Sequence, residues 1–194
     1  MTVNLIIPVY NRVAPLRRLI ASLFNAQIRG NMNLTVSCEA GASEDVLGFV
    51  ESLKWRFGNY EIIKQPLKLG VDAHNLACMK MVQDLGSALI LEDDLVLSPY
   101  FQNYLLACEN VVKRERKLAG VSLYRYPMVE HSHLPFQLIP NDEFLYYQQR
   151  PCSKGTFYTW EMLAPYFDFL TTFKHNYKDY YLPKNVQKWG DQEW

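Results

Sequence analysis

The sequence has no excess of charge of either sign, no long apolar run and no paired cysteines. Its 194 residues carry 20 basic and 20 acidic side chains, whereas nucleic-acid-binding domains usually show a basic excess, so that class is disfavoured. The strand-like run at residues 3–9 is too short to span a bilayer and lacks the layout of a signal peptide. The four cysteines are scattered without a CxxC pair, which favours reduced thiols over a disulfide framework or a zinc site.

What is present is an alternation of apolar runs and segments with helical spacing over the first 125 residues. The predicted strands are residues 3–7 (stopped by Pro8), 33–37, 60–64, 88–91 and 120–124. The predicted helices are residues 14–26, 43–57 (capped by Ser43), 71–85 and 101–118 (with Ser98 as cap and Pro99 at the first position). This alternation predicts an α/β fold with a mostly parallel sheet flanked by helices. In such sheets ligands bind beyond the carboxyl ends of the strands.

The second half of the chain has weaker periodicity. Residues 128–150 are predicted to form loops with one or two short strands, and residues 159–173 a helix interrupted near Pro165. No internal repeat, low-complexity tract or linker separates this half from the first.

Three acids, Glu92, Asp93 and Asp94, directly follow the fourth predicted strand. Hard divalent cations prefer oxygen ligands, and Mg²⁺ or Mn²⁺ needs only one or two carboxylates when substrate phosphates supply the rest, so a metal–diphosphate site is one interpretation. Alternatively, the acids favour the positive end of the next helix, or are surface charges capping a strand. The acidic strand of a P-loop NTPase is excluded, because no GxxxxGKS or GxxxxGKT motif is present.

Other predicted strand ends carry further candidate ligand-binding residues: Pro8, Tyr10 and Arg12 after the first strand, and Glu39 after the second. Tyr10 can stack on a base, and Glu39 can accept from the imide N–H of a uracil. Arg12 can face a phosphate or orient Glu39, and Gly41 allows close approach of the backbone. Alternatively, Tyr10 belongs to the core, Arg12 and Glu39 form a plain ion pair, and Gly41 only makes a turn.

Together these segments resemble the nucleotide-sugar glycosyltransferases of GT-A fold. The opening VNLIIPVYNR is similar to the start of the family 2 enzymes. The remainder is similar to the N-acetylglucosaminyltransferase I type, family 13, whose patterns are matched by VSCEAG at 36–41, KQP at 64–66 and EDDLVLSPYFQ at 92–102. The family 2 signature DDGS is represented only by CEAGAS. The resemblance covers most of the first 125 residues.

The resemblance implies an inverting, metal-dependent transfer from a UDP-sugar, with UDP-GlcNAc as one candidate, to a hydroxyl of a glycan or lipid-linked glycan acceptor. Glu39 would bind uracil and Arg12 would lie beside the nucleotide. Glu92 and Asp93 would contact the donor sugar and ribose, and Asp94 would be the direct ligand to Mn²⁺ or Mg²⁺. A nucleotide-sugar-binding module without transfer activity is the alternative. A nucleotidyltransferase is disfavoured, because PVYNRVAP offers no Gly-rich basic loop.

The resemblance also extends to the second half. Residues 152–169 look like the segment beneath the acceptor site, where Gly155 would let the chain pass close to the donor sugar. The segment WGDQEW is similar to the one that supplies the catalytic base, with Asp191 as first choice and Glu193 as second. Alternatively, these two acids lie near the start of a C-terminal helix.

The implied organisation is a single domain over residues 1–194, with a nucleotide-sugar-binding half at 1–125 and an acceptor-side half at 126–194. Since the family 13 enzymes of animals have a membrane anchor and a longer C-terminal part, the sequence is either a truncated piece or a short relative. The expected setting is the cytoplasm of a bacterium, in surface-polysaccharide synthesis. The basic run at residues 113–117 allows at most a peripheral contact with anionic lipid. His74 can approach the donor or be a satisfied helix residue.

Overall fold

A computed structural model describes residues 2–129, 133–136, 145–148 and 152–172. The chain divides into two compact units, Met1–Leu163 and Ala164–Trp194. Of the second unit, only the end of one helix is described. Within the described ranges, none of the helices has the length and apolarity that a bilayer crossing requires.

The first unit is built on a six-stranded sheet. The strands are β1 (Thr2–Val9), β2 (Asn31–Cys38), β3 (Tyr60–Lys64), β4 (Ser87–Ile90), β5 (Val121–Ser122), β6 (Met128–Val129), β7 (Leu134–Pro135) and β8 (Thr156–Thr159). The helices are α1 (Val13–Phe24), α2 (Glu44–Ser52), α3 (Val71–Leu85), α4 (Phe101–Arg114) and α5 (Trp160–Thr172). The sheet order is β3-β2-β1-β4-β8-β5, and β6 and β7 form a separate antiparallel pair. The first four strands of the sheet are parallel, whereas β8 runs antiparallel to both of its neighbours.

The core lies along β1 and the elements packed on it. Leu5, Ile6 and Ile7 are consecutive and fully buried, as expected for a central parallel strand that is covered on both faces. The buried residues of α1 recur at helical spacing and share one face (Leu16, Leu19, Ile20 and Leu23). Burying each such side chain contributes about 1.5–3 kcal/mol.

Strand order creates a switch point beside β1. The chain runs from β1 outward to β2 and β3 on one side, and α3 then leads to β4 on the other side. Leu5 is accordingly registered with Leu34 of β2 and with Leu89 of β4. In an open α/β sheet, the crevice outside the carboxyl ends at such a reversal is the preferred ligand site. The loops that follow β1 and β4 form the edge of this crevice.

The predicted stop of the first strand at Pro8 is wrong, because β1 continues to Val9. The carbonyl of Ile6 accepts from the N–H of Leu91. The backbone hydrogen-bonding groups of Ile6, and of every second residue along β1 from it, therefore point toward β4. Pro8 is the next such residue, and β4 has already ended at Ile90. The missing N–H of proline therefore removes no ladder hydrogen bond.

The second predicted helix is too long. It begins as expected, with the Ser43 hydroxyl accepting from the N–H of Val46, but it ends at Ser52 and not at residue 57. Trp55 and Phe57 instead pack on Phe24, with ring centroids 5.6 and 5.5 Å away. Tertiary aromatic packing thus overrides the helical spacing of this segment.

Details of the later elements also differ from the prediction. Helix α4 begins at Phe101 without a side-chain cap, because the Ser98 hydroxyl accepts from the N–H of Tyr100 before the helix starts. It ends at Arg114, and β5 is shorter than predicted, with only Val121 and Ser122. Helix α5 runs through Pro165 without the predicted interruption.

Candidate functional site

The carboxyl ends of β1 and β4 bring one base and two acids into contact. Arg12 follows β1, and its Nη1 donates to Asp94 Oδ2 at 2.9 Å while its Nη2 donates to Asp93 Oδ1. Among the described residues, the ion pairs of Arg12 are with these two aspartates and none is with Glu39. The Asp93 side chain is only 7% exposed, whereas that of Arg12 is 51% and that of Asp94 40% exposed. One partly exposed side chain therefore bridges one buried and one accessible carboxylate.

The pKa of Asp93 is shifted first by burial and then by its charged neighbours. Burial raises the pKa of Asp93, Arg12 opposes that shift, and the neighbouring Asp94 and Glu92 add to it, so the net pKa lies above its ordinary value. Burial lowers the pKa of Arg12, but Asp93 and Asp94 raise it above its ordinary value. The guanidinium remains charged, and the site retains a surplus of negative charge that favours a second cation.

The loop that carries the acids is anchored on its C-terminal side. The Ser22 hydroxyl of α1 accepts from the N–H of Leu97 at 3.1 Å. Gln102, which is buried, exchanges two hydrogen bonds with the backbone of Arg29, at 2.6 and 2.8 Å. These contacts tie Leu97 to α1, and the first turn of α4 to the segment between α1 and β2. Asp93 and Asp94 therefore lie on a loop with fixed anchors.

The segment before β8 passes beside the acids. The Ser153 hydroxyl donates to Glu92 Oε1 at 2.7 Å. Gly155 has a φ of 68°, and a Cβ at this position would lie 3.4 Å from Leu95 Cδ1 and 3.5 Å from Leu91 Cδ2. These are ordinary contact distances, so it is the left-handed backbone, and not a lack of space, that favours glycine here.

Glu39 at the end of β2 is held in a different way. Its Oε1 accepts from the N–H groups of Ala40 at 3.0 Å and Leu69 at 2.9 Å, and its Oε2 accepts from the N–H of Gly70 at 2.9 Å. Burial alone would raise the pKa of Glu39, but these three donors and His74 lower it below its ordinary value. A carboxylate has about four acceptor positions. About one therefore remains for a ligand.

His74 extends this cluster into the interior. Its Nε2 lies 2.8 Å from the Ser37 hydroxyl, which also accepts from Gln65 Nε2 at 3.0 Å. Its Nδ1 lies 3.8 Å from Glu39 Oε2. Burial lowers the pKa of His74 and Glu39 only partly offsets this, so the imidazole is neutral at pH 7 and the contact with Glu39 is not an ion pair. His74 is thus a satisfied helix residue.

Tyr10 and Gly41 complete the β1–β2 side of the edge. Tyr10 is 37% exposed, so it is not a core residue, and Lys68 Nζ lies 5.4 Å from the centre of its ring. Its carbonyl accepts from the N–H of Ser43 at 3.1 Å. Gly41 has a φ of 79°, so it makes a turn that favours glycine. A Cβ at this position would contact no other atom, so the space beside Gly41 is open. Pro8 lies within β1, paired with Ser37 of β2.

The donor set at Asp93 and Asp94 fits a hard divalent cation. Both carboxylates already point at one positive group, and both offer oxygen ligands. The described ranges contain no cluster of three or more histidine, cysteine or acidic side chains able to hold a metal by themselves. A cation at this pair would therefore take its remaining ligands from water and from substrate phosphates, as Mg²⁺ commonly does.

Some site residues were not predicted, and others cannot be compared. Ser153 was missed because its partner Glu92 lies 61 residues away, and Ser37 because it sits inside an apolar strand. No sequence pattern marks either contact. The predicted bases Asp191 and Glu193 lie outside the described residues. The four cysteines are free and buried, as predicted.

Comparison with solved structures supports the predicted fold. A mannosyltransferase from Pyrobaculum calidifontis, solved with GDP-Man and Mn²⁺, matches with a TM-score of 0.51 and 13% identity over 64% of this chain and 36% of that chain. S. aureus TarS 1–349, in complex with UDP-GlcNAc, matches with a TM-score of 0.48 and 16% identity over 58% of this chain and 32% of that chain. No family model and no curated protein matches the chain.

At such identities the mannosyltransferase likeness speaks for the fold alone, and the chain spans about a third of these neighbours' length. The architecture is the expected GT-A-like one, with a mostly parallel six-stranded sheet flanked by helices. The finer resemblance to the N-acetylglucosaminyltransferase I type stays a prediction.

Proposed function

We propose that the chain carries the donor-binding part of an inverting glycosyltransferase that uses a UDP-sugar and a divalent cation, Mn²⁺ or Mg²⁺. The acceptor is a hydroxyl of a glycan or of a lipid-linked glycan. The bacterial surface-polysaccharide setting, the cytoplasmic location and UDP-GlcNAc as one candidate donor belong to the same proposal. These last three points rest on the sequence resemblance alone.

The observation that carries the proposal is the convergence of Arg12, Asp93 and Asp94 at the switch point between β1 and β4. Two carboxylates and a guanidinium at this crevice offer both a cation site and a cationic partner for an anionic ligand. A nucleoside diphosphate suits both groups, because its phosphates can contact the bound cation and the guanidinium. A bound divalent cation would neutralise the negative charge that develops on the diphosphate leaving group.

The other residues take roles that follow from their positions. Tyr10 offers an exposed ring for stacking on the base, and Glu39 retains about one acceptor position for an imide N–H. Glu92, held by Ser153, and the buried Asp93 would face the donor sugar and ribose. Asp94, the more exposed aspartate, would bind the cation directly.

The choice of nucleotide has two candidates. The VSCEAG segment favours uracil through Glu39, whereas the mannosyltransferase with the same fold was solved with GDP-Man. A titration of UDP, GDP and their sugar conjugates, with and without Mn²⁺, separates them. We expect UDP to bind more tightly than GDP, and more tightly with Mn²⁺ than without it. Preference for GDP would overturn the role of Glu39, and metal-independent binding would overturn that of Asp94.

The catalytic base is proposed to be Asp191, with Glu193 as second candidate. Either would take the proton from the acceptor hydroxyl as it attacks the anomeric carbon. Hydrolysis of the UDP-sugar should fall in Asp191→Asn or in Glu193→Gln while UDP affinity stays unchanged. If neither substitution slows hydrolysis and UDP still binds, the chain is a binding module without transfer activity.

A further inference from the structure

The two acceptor oxygens at the switch point are held by a single cation that the chain itself supplies. One planar guanidinium donates to Asp93 Oδ1 and to Asp94 Oδ2, so these oxygens from two residues face the same point. Guanidinium is the side chain best suited to such a two-pronged contact. Arg12 therefore occupies the position from which a divalent cation would contact the same carboxylates.

Arg12 and a divalent cation cannot share these oxygens freely. Arginine stays protonated in proteins, so the guanidinium cannot lose its charge to admit another cation. Its displacement must leave it another anionic partner, or the bound cation meets an unpaired positive group nearby. Because about half of the Arg12 side chain is exposed, it can rotate out without disturbing the core.

A nucleoside diphosphate would supply that alternative partner. The phosphates can accept from the guanidinium released by Asp93 and Asp94 while they complete the ligands of the cation. Binding of the cation and of the diphosphate would then be coupled, and by linkage each would raise the affinity for the other by the same factor.

We propose that Arg12 is a resident counterion that makes divalent-cation binding at Asp93 and Asp94 conditional on a bound nucleoside diphosphate. This inference rests on the proposed function, because it concerns the same cation site. The inference goes beyond the proposed function because it gives Arg12 a second role, as the group that weakens cation binding when no diphosphate is present.

The test is a titration with Mn²⁺ alone of the wild-type chain and of Arg12→Gln. Electron paramagnetic resonance measures the concentration of free Mn²⁺. We expect Arg12→Gln to bind Mn²⁺ alone about tenfold more tightly, within the usual range of coupling between sites. The gain in Mn²⁺ affinity caused by UDP should be correspondingly smaller in the variant. Arg18→Gln is the matched control, because it removes the same charge from an exposed position on α1 and should change neither quantity.

Arg12→Gln leaves the buried Asp93 without its partner and could unfold, so Arg12→Lys is measured as well. Lysine keeps the charge but cannot donate to both aspartates in the two-pronged way of a guanidinium. We therefore expect Arg12→Lys to bind Mn²⁺ alone more tightly than the wild type does. Mn²⁺ affinity that is unchanged or weaker in the folded variants overturns the inference. If UDP fails to strengthen Mn²⁺ binding in the wild type, the proposed function fails instead, so the two failures are distinguishable.

Discussion

The acids after β2 and those after β4 lie on the same edge of the sheet, yet they are stabilised by different kinds of partner. Glu39 is bound by three backbone N–H groups, which cannot leave without moving the main chain. Asp93 and Asp94 are bound by a single exposed side chain, which can rotate away. The first arrangement suits a residue that holds a loop in place, and the second suits a residue that exchanges partners with a ligand.

The same contrast extends to the surroundings of the two sites. Behind Glu39, hydrogen bonds join the buried Ser37 and His74 and the partly buried Gln65, which links β2 to α3 and to the residue after β3. Beside Asp94 lie exposed side chains and the glycine-containing segment at Gly155. Substitutions at the first site should therefore change stability as well as uracil recognition, and substitutions at the second should change mainly ligand binding.

The largest effect is expected for Asp94→Ala, which tests the exchangeable site. In the presence of Mn²⁺, UDP affinity should fall about 100-fold, because the proposed cation loses its direct ligand. Isothermal titration calorimetry measures the change. The free energy of unfolding should change little, since Asp94 is exposed, and Asp84→Ala on the exposed side of α3 serves as the control. Unchanged UDP affinity would show that Asp94 does not bind the proposed cation.

Next in size is Glu39→Gln, which tests the structural site. The variant places an amide where the carboxylate now accepts three backbone N–H groups, so we expect the free energy of unfolding at pH 7 to fall by about 2 kcal/mol. Urea unfolding followed by circular dichroism measures it. Glu61→Gln, an exposed acid on β3, should leave the stability within error. A loss of UDP binding with no loss of stability would reverse the contrast between the two sites.

The difference between wild type and Glu39→Gln should depend on pH in a defined direction. The pKa of Glu39 is lowered in the folded chain, so its contribution is fully present above the ordinary value of 4.5. It is lost as the pH falls through the lowered folded value. Unfolding curves of the two chains should therefore converge in acid. A constant difference across this range would show that the ionised carboxylate is not what stabilises the loop.

A smaller effect is expected for His74→Gln, again in stability. The pKa of His74 is lowered by burial, so the unfolded chain binds the proton more readily and the folded chain loses stability as the pH falls below 6.5. Removing the imidazole should flatten that part of the stability profile between pH 7 and 5.5. Urea unfolding at several pH values measures the slope. An unchanged slope would show that other groups cause it.

The smallest effect is expected for Ser153→Ala, which lies at the boundary of the exchangeable site. It removes one exposed hydrogen bond to Glu92, so the free energy of unfolding should fall by about 0.5 kcal/mol. If Glu92 contacts the donor sugar, the affinity for a UDP-sugar should fall more than that for UDP. Equal loss for both ligands would place Glu92 away from the sugar.

The location of both sites was predictable, because strand ends in a parallel sheet meet at one edge. The alternation of apolar and helical segments indicated the fold, and the acids after the fourth strand indicated the crevice. Arg12 and Glu39 were both placed at that edge correctly. Their partners could not be predicted, because the choice of Arg12 between Glu39 and Asp93 depends on which strands neighbour β1 and on where their loops turn.

The amino-acid sequence by itself determined the order of strands and helices over the first 125 residues, the apolar core of β1 and the set of charged groups at the carboxyl edge. It did not indicate β8, which joins the same sheet beside β4. These follow from local periodicity and from residue chemistry, which act over a few residues. Only the tertiary structure decided that Pro8 lies within a strand, that Trp55 and Phe57 leave the helix, and that Arg12 pairs with Asp93 and Asp94 more than 80 residues away. Such contacts depend on the register and twist of non-adjacent strands, and no local pattern encodes them.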